Sequence, residues 1–279
     1  MTAIVPARLA IGFTTILLIC ATLTDAHAQD ASPWAQDDHS AVRLLAGSRS
    51  GAVVLGGIAF RLQPGWKTYW RTPGDSGVPP RFDFSKSDNV EAVTVLWPAP
   101  MKFDDGAGGQ SIGYKQQVVL PLRIVAKAAD KPVTLRAEIH YAVCDKLCIP
   151  VEASAELAFA SVASTEDGAL SAALDAAPNP ANIGDNIPLS IRDVKRDGKA
   201  NVLVDVIAPE AKKLELFVEG PTPDWALPIP KLVEKSPPGI RRFEFELDGL
   251  PPGARPDGAA LKFTLVGDGK AYEFNTNLE

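Results

Sequence analysis

The clearest pattern along the chain is an alternation of hydrophobic and polar residues between positions 133 and 159. In the stretch VTLRAEIHYAV every second residue from Val133 to Val143 is apolar, and the alternation resumes from Val151 to Phe159. A period of two residues is typical of β-strands that have one face buried and the other in water. The pattern therefore predicts a β-hairpin with the sequence CDKLC at its tip.

Shorter strand patterns precede this hairpin. AVVLGGIAFRL ends at the turn QPGW, VEAVTVLW ends at PAP, and QQVVLPLRIV follows. Proline has no backbone N–H to donate, so Pro121 predicts that the last of these is an edge strand or contains a bulge. Together with the hairpin, these strands predict a β-sandwich over residues 35–162.

The β pattern is interrupted by STEDGALSAALDAAPNP, which predicts a short helix. Ser164 and Asp167 resemble a capping box at its start, and the two prolines end it. Short alternating strands then recur at regular spacing up to the last residue, which is typical of a second sandwich. We therefore predict a helical linker over 163–184 and a second β-domain over 185–279.

Composition and charge change this picture little. The 279 residues are 46% hydrophobic and 22% charged, as expected for a globular protein with enough apolar surface for two cores. The net charge is −6, and no basic cluster longer than a doublet occurs. These features argue against a nucleic-acid-binding function.

The N-terminus has the pattern of a secretory signal peptide over residues 1–28. Arg8 supplies the positive charge, an apolar run follows, and AHA provides a cleavage site after Ala28. A lipoprotein signal would need a small residue before Cys20, whereas Ile19 precedes it. The apolar run is short for a membrane span, so we predict an exported protein that does not span the membrane after cleavage.

Removal of the signal peptide would leave two cysteines, Cys144 and Cys148, in an oxidising compartment. A purely structural disulfide is one interpretation, although a bridge closing about five residues contributes only roughly 2 kcal/mol. A metal site with His140 is another. On a strand, however, four residues span roughly 13 Å, too far for shared coordination. A two-thiolate copper(I) site remains open because soft sulfur ligands suit that ion.

The third interpretation is a redox pair that exchanges electrons with a partner. A hairpin tip would let the disulfide open and close while its carrier stays folded. Lys146 favours the thiolate of either cysteine, whereas Asp145 opposes it. The local charges therefore fit a passive electron carrier better than a strong oxidant.

The residues around the cysteines resemble a known family. In YAVCDKLCIP, Tyr141 stands three residues before the first cysteine and Pro150 two residues after the second. With GWKTYWRTPGDSGVPP and LWPAPMKFDDGAGGQSIGY, this stretch resembles the periplasmic N-terminal domain of DsbD-type thiol:disulfide interchange proteins, in the ScsB-like branch. The resemblance implies an all-β fold, namely two immunoglobulin-like β-sandwich domains joined by a short helical linker.

The resemblance also implies a function and a set of partners. Cys144 and Cys148 would be the redox pair, taking electrons from a membrane-embedded thiol reductase and passing them to periplasmic thioredoxin-fold proteins. Full-length members continue into a transmembrane region and a thioredoxin-like domain, so a separately encoded membrane partner is expected. The exchange needs no cofactor and no metal.

The family shields its disulfide with a cap loop, for which RTPGDSGVPP at residues 71–80 is the candidate. Asp75 would then be a proton-handling group or a simple turn residue. The aromatic residues that could line the site, or could instead belong to the core, are Trp66, Tyr69, Trp70 and Tyr114.

The alternative is a protein of another class. In this interpretation the chain is a non-catalytic periplasmic binding or assembly module, for example in copper handling, and the Cys144–Cys148 disulfide is a local structural bridge. Copper(I) binding by the reduced protein would discriminate the two interpretations.

Overall fold

The computed structural model describes residues 29–104, 108–159 and 163–279. The predicted signal peptide, with its cleavage point after Ala28, lies outside these ranges. Within them the chain forms nineteen strands and one helix, so the prediction of an all-β fold is confirmed. None of the helical residues described forms a segment long and apolar enough to cross a membrane.

The first eleven strands build one pair of antiparallel sheets. Their bounds are β1 (Ala35–Gln36), β2 (Ser40–Ser50), β3 (Val53–Leu62), β4 (Lys67–Gly74), β5 (Arg81–Asp83), β6 (Val90–Val95), β7 (Met101–Asp104), β8 (Gln110–Lys115), β9 (Gln117–Ala126), β10 (Val133–Cys144) and β11 (Cys148–Phe159). One sheet has the order β1-β2-β3-β9-β6. The other has the order β11-β10-β4-β8-β7, with β5 also paired to β10.

The predicted hairpin is formed by β10 and β11. All twelve residues of β10 pair with residues of β11, from Val133 opposite Phe159 to Cys144 opposite Cys148. Every second residue of β10 from Val133 to Val143 is buried in the core between the two sheets, as the alternation predicts. Core burial on one face therefore fixes the register of the hairpin up to the cysteines.

The expectation for Pro121 is wrong, since β9 lies inside its sheet between β3 and β6. The register shift between β6 and β9 lies at the other end of their pairing. Pairing with β6 ends at Val95 opposite Leu122, and the Pro121 carbonyl accepts a hydrogen bond from the Leu96 N–H at 2.8 Å. Pro121 has no N–H to donate back to Leu96, and the pairing of β6 with β9 ends one residue before it, so the proline stands where this ladder stops.

The helix α1 (Asp167–Asp175) lies on the outer face of the first sheet. Leu170 is fully buried against Leu45 of β2 and Ala59 of β3. A Cβ atom at Gly57 would come within 2.6 Å of the Leu170 side chain, so the glycine lets the helix approach the sheet closely. The helix is therefore packed against the first pair of sheets.

The start of this helix contains half of the predicted capping box. The Asp167 carboxylate accepts a hydrogen bond from the Ser164 N–H at 3.0 Å. The Ser164 hydroxyl accepts one from the Glu166 N–H at 3.0 Å, one residue earlier than a capping box requires. Both contacts satisfy N–H groups at the entrance to the helix.

The remaining strands build a second pair of sheets with its own hydrophobic core. They are β12 (Asn179–Ala181), β13 (Ser190–Asp197), β14 (Asn201–Ile207), β15 (Glu215–Glu219), β16 (Lys231–Leu232), β17 (Arg241–Glu246), β18 (Ala260–Gly267) and β19 (Lys270–Asn277). The sheet orders are β12-β19-β18-β15 and β13-β14-β17-β16. Two side chains from this part, Phe217 and Ile229, are buried in the core of the first pair, so the two pairs pack against each other.

Candidate functional site

The two cysteines close the hairpin of β10 and β11. Cys144 and Cys148 are the last paired residues of the two strands, with a three-residue connection between them, and their sulfur atoms form a disulfide. Their Cα atoms lie 4.2 Å apart. The strands thus hold the two residues adjacent whether or not the sulfur atoms are bonded.

The two sulfur-bearing residues differ in exposure. Cys144 is only 1% exposed, whereas Cys148 lies on the surface. Because side chains alternate along a strand, Val143 enters the core and Cys144 points to the outer face of the sheet. There Cys144 forms a small buried cluster with Ala142 and Tyr69, separate from the core; we call it the outer cluster.

Tyr69 on the adjacent strand β4 contacts both sulfur atoms. Its hydroxyl donates a hydrogen bond to the Cys144 Sγ at 2.7 Å and lies 3.2 Å from the Cys148 Sγ. The Tyr69 residue is 3% exposed. A hydroxyl at this distance is a hydrogen-bond donor for the thiolate that forms on Cys144 when the disulfide opens.

Residues 71–80, which we call the covering segment, pack over Tyr69. A Cβ atom at Gly77 would come within 2.6 Å of the Tyr69 ring and 2.7 Å of Pro73, so only glycine allows this approach. The segment covers the ring, and the ring in turn covers Cys144.

Asp75 lies within the covering segment but binds a strand. Its carboxylate accepts a hydrogen bond from the Gln110 N–H at 3.0 Å, and its own N–H donates to the Gln110 carbonyl at 2.9 Å. This reciprocal pair fastens the segment to β8. The contacts of Asp75 are thus those of a residue that shapes a turn.

The other aromatic candidates lie away from the outer cluster. Trp70 is fully buried in the core, because it follows Tyr69 on the strand and faces the opposite side. The Tyr114 hydroxyl donates to the Pro98 carbonyl at 2.8 Å, and burial raises the pKa of Tyr114 well above its ordinary value. Trp66 is half-buried and stacks on His39, with ring centroids 3.8 Å apart.

Tyr141 belongs to the core face of β10. Its hydroxyl lies 2.7 Å from the Ser40 hydroxyl and 3.5 Å from an Asp37 carboxylate oxygen. Burial raises the pKa of Tyr141 to about 12, and the negative charge of Asp37 contributes in the same direction. Tyr141 therefore anchors the hairpin to β2 three residues before the disulfide.

The surface around Cys148 is apolar, a feature that the sequence analysis did not identify. Leu147 is 76% exposed and Ile149 is 36% exposed, and Pro150 beside them also lies on the surface. Val78 of the covering segment is exposed as well. Large apolar side chains exposed together are typical of a protein-binding surface. In the sequence, the apolar residues Leu147, Ile149 and Pro150 around the predicted turn could have indicated this surface.

The charged residues near the hairpin lie on its water-facing side. Asp145 and Lys146 are exposed in the connection. His140 is exposed too, and its Nδ1 lies 3.5 Å from the Glu152 carboxylate on the neighbouring strand. Among the residues that the structure describes, no group of three or more His, Cys, Asp or Glu side chains is arranged to hold a metal ion.

The fold and the hairpin define an all-β domain that carries a disulfide at a hairpin tip. Residues 37–160 match the family model of the thiol:disulfide interchange protein DsbD, N-terminal. This part of the chain, which contains the whole cysteine hairpin, is similar to that family. The resemblance predicted from the sequence motifs is therefore confirmed.

The solved structures extend the comparison to most of the chain. The crystal structure of the N-terminal periplasmic domain of ScsB from Proteus mirabilis matches with a TM-score of 0.72 and 23% sequence identity, covering 89% of this chain and 98% of that chain. The two therefore share a fold. A yeast GGA1 GAE domain matches with a TM-score of only 0.26, too low to indicate a common fold. A comparison with the curated proteins found no match.

Proposed function

We propose that the chain is a periplasmic thiol–disulfide exchange protein that relays electrons through Cys144 and Cys148. The observation that carries the proposal is the asymmetry of the disulfide. Cys148 is exposed, while Cys144 is buried and accepts a hydrogen bond from Tyr69. The location of this disulfide within the part of the chain that matches the DsbD N-terminal family supports the same function.

In the first half of the relay, a thiolate of the electron donor attacks the exposed Cys148 Sγ. The bond between the two sulfur atoms breaks, and Cys144 leaves as a thiolate that the Tyr69 hydroxyl stabilises. The second thiolate of the donor then attacks the donor's first sulfur atom, which is bonded to Cys148 in the mixed disulfide. This attack releases Cys148 as a thiolate. Two electrons have moved, the donor is a disulfide, and Cys144 and Cys148 take up protons according to pH.

In the second half, the Cys148 thiolate attacks a disulfide of the acceptor and forms a new mixed disulfide. Cys144 resolves it by attacking Cys148, which regenerates the intramolecular disulfide and releases the acceptor as a dithiol. The 4.2 Å between the two Cα atoms keeps Cys144 within reach for this step. We propose a membrane-embedded thiol reductase as donor and periplasmic thioredoxin-fold proteins as acceptors.

The proposed roles of the other site residues follow from their contacts. Tyr69 is the donor to the leaving thiolate, and the covering segment with Asp75 shields it. Pro150, with its apolar neighbours Leu147 and Ile149, offers the surface on which a partner docks. Trp70, Tyr114 and Tyr141 support the hairpin from the core.

The proposed organisation assigns one pair of sheets to each domain. The first immunoglobulin-like sandwich comprises residues 35–162, the helical connection residues 163–184, and the second sandwich residues 185–279. The separate core of each sheet pair supports this division. Export would follow cleavage of the signal peptide after Ala28.

The reduction potential of the Cys144–Cys148 pair tests the proposal. The chain is equilibrated in glutathione redox buffers, free thiols are alkylated, and the reduced fraction is read by mass. A potential above about −250 mV is expected for an exchangeable disulfide, whereas a value below about −300 mV marks a structural bridge and contradicts the proposal. The Cys144→Ser/Cys148→Ser double variant gives the background of alkylation.

A second function is favoured by the spacing of the two cysteines. The hairpin holds their Cα atoms 4.2 Å apart, so two thiolates of the reduced protein stand close enough for a linear copper(I) site. The chain would then be a binding or assembly module whose disulfide is a local bridge. One-to-one copper(I) binding that is lost in the double serine variant supports this function, and its absence supports the relay.

A further inference from the structure

The covering segment begins with an arginine that is bound to the second pair of sheets. Arg71 donates from Nε and Nη2 to the two carboxylate oxygens of Glu219 at 2.8 and 2.7 Å. Its Nη2 also lies 2.6 Å from a carboxylate oxygen of Glu273. The Thr72 hydroxyl donates to Glu219 at 3.0 Å. The two-pronged geometry is the one in which an arginine binds a carboxylate most strongly.

These charged groups form a balanced cluster at the junction of the two sheet pairs. Glu219 stands opposite Lys262 in the pairing of β15 with β18, and the Lys262 ammonium lies 3.4 Å from Glu273. The side chains of Arg71, Glu219 and Glu273 are 22%, 16% and 23% exposed. Burial disfavours the charge of Arg71, but the hydrogen bonds and charges of the two glutamates leave its pKa above the ordinary value.

The cluster continues into the strand that carries Tyr69. The Arg71 guanidinium lies over the Trp70 ring at 4.5 Å, and Trp70 packs against Phe217 of β15 with ring centroids 5.8 Å apart. Tyr69, the residue before Trp70, faces the disulfide. The second pair of sheets therefore binds the chain at Arg71, two residues after Tyr69, whose hydroxyl contacts both sulfur atoms.

The covering segment lies beside two clefts at the junction with the second pair of sheets. One, of about 700 Å³, is lined by Asp75, and the other, of about 680 Å³, is lined by residues 71–75 and Pro79. Gly74 has a positive φ of 84°, a conformation that glycine leaves easily for others. The Asp75–Gln110 hydrogen bonds and the Arg71 cluster are two polar attachments of the segment, one to β8 and the other to the second pair of sheets.

We propose that Arg71 and Glu219 are positioning residues, through which the second pair of sheets holds the covering segment and Tyr69 against the disulfide. The consequence is that Cys144 stays shielded and a partner attacks Cys148 alone. This gives the second pair of sheets a role in the reactivity of a site that lies wholly in the first. That consequence rests on the proposed exchange function, whereas the shielding itself does not.

The shielding is tested by alkylation of a single thiol. In the Cys148→Ser background of the chain without residues 1–28, and therefore without Cys20, the free Cys144 thiol is reacted with iodoacetamide across a pH series, and the product is followed by mass. The pH profile separates the two quantities that determine the rate. Its midpoint reports the pKa of the thiol, and its alkaline plateau reports access of the reagent to the sulfur.

Arg71→Met is the test variant and Arg242→Met the matched control. Arg242 donates from Nε and Nη2 to both carboxylate oxygens of Asp205 at 2.6 and 2.8 Å, with side-chain exposures of 21% and 12% for the pair. That pair lies between β14 and β17 of the second pair of sheets. It therefore matches the two-pronged geometry and the side-chain exposure of the Arg71–Glu219 pair, and it lies outside the covering segment.

The plateau rate for Cys144 is expected to rise on the order of tenfold in Arg71→Met, because the open population of the segment increases, and to stay within about twofold in Arg242→Met. An unchanged plateau in Arg71→Met, or an equal rise in both variants, overturns the proposal. Circular dichroism of each variant shows whether it is folded under the conditions of the assay.

Glu219→Gln keeps the test decisive if Arg71→Met does not fold. Glutamine preserves the shape of the side chain and one hydrogen bond, so a smaller rise of the plateau is expected. The double variant should add little to Arg71→Met, because both residues act through one contact. The alkylation needs no redox partner. A raised plateau together with a structural reduction potential would therefore contradict the exchange function and leave the positioning role standing.

Discussion

The core of the first sheet pair and the outer cluster lie on opposite faces of the same strands, and they differ in what their side chains do. On the core side, Trp70 and Tyr141 are enclosed by apolar neighbours. On the outer side, Tyr69 and Cys144 are equally buried, but a single segment covers them. The core therefore sets the register, whereas Cys144 on the outer face is covered by a thinner layer, formed by Tyr69 and the covering segment.

The largest effect on stability is expected from a mutation on the core side. Trp70→Ala should lower the free energy of unfolding by about 3–5 kcal/mol, because it removes a fully buried indole that packs against Phe217. Trp66→Ala is the control of the same residue type, since Trp66 is only half-buried and should cost clearly less. Chemical denaturation of both variants measures the difference, and equal losses would contradict the assignment of Trp70 to the core.

Reduction of the disulfide should have a smaller effect on stability. In the chain-entropy model a bridge that closes so short a loop contributes at most about 2 kcal/mol. Every residue of β10 is already paired with β11, which lowers this gain further. Denaturation of the oxidised and reduced protein should therefore give nearly the same midpoint. A loss well above 2 kcal/mol would mean that the disulfide is a structural bridge.

Removal of one hydroxyl from each face should affect different properties. Tyr69→Phe should slow the attack on Cys148 about tenfold, which equals roughly 1.4 kcal/mol in the barrier, because the Cys144 thiolate loses its donor. Tyr114→Phe removes a hydroxyl that binds the Pro98 carbonyl in the core. That variant should lose about 1 kcal/mol of stability and keep the exchange rate. Stopped-flow reduction by dithiothreitol measures the rate, and equal rates in both variants would argue against a role for Tyr69.

A further effect, confined to alkaline pH, is expected on the core face. The pKa of Tyr141 is raised from 10.0 to about 12 by burial, so the folded state retains a proton that the unfolded chain releases first. Its contribution to stability is complete below about pH 10 and is lost as the pH rises toward 12. The free energy of unfolding should therefore fall less steeply over this range in Tyr141→Phe than in the wild type. Parallel slopes would show that Tyr141 ionises alike in both states.

Much of the fold could be predicted from the sequence because its strands alternate so regularly. The hairpin and its buried face follow directly from the period of two between Val133 and Phe159. Pro121 misled the prediction because the sequence does not reveal that the adjacent strand β6 ends at Val95. The close pair of cysteines, and the resemblance of the region that contains them to the DsbD N-terminal family, were evident from local motifs.

The surroundings of the disulfide could not be predicted in the same way. In KTYWRT both Tyr69 and Trp70 are aromatic, so alternation alone does not say which one enters the core. The pairing of β4 with β10, more than 70 residues away along the chain, decides it. The Arg71–Glu219 contact spans 148 residues and leaves no local pattern at either end. Contacts of this kind are determined by the packing of whole sheets.

The complete pairing of the hairpin has a consequence for molecular recognition. Because β10 and β11 stay in register up to the cysteines, we expect the surrounding surface to keep its shape and its exposed apolar residues when the disulfide opens. Under the proposed function, a partner would then encounter one docking surface in both oxidation states. Binding alone would not distinguish the reduced chain from the oxidised one, and we expect the direction of exchange to depend on whether the partner or this chain holds the nucleophilic thiolate.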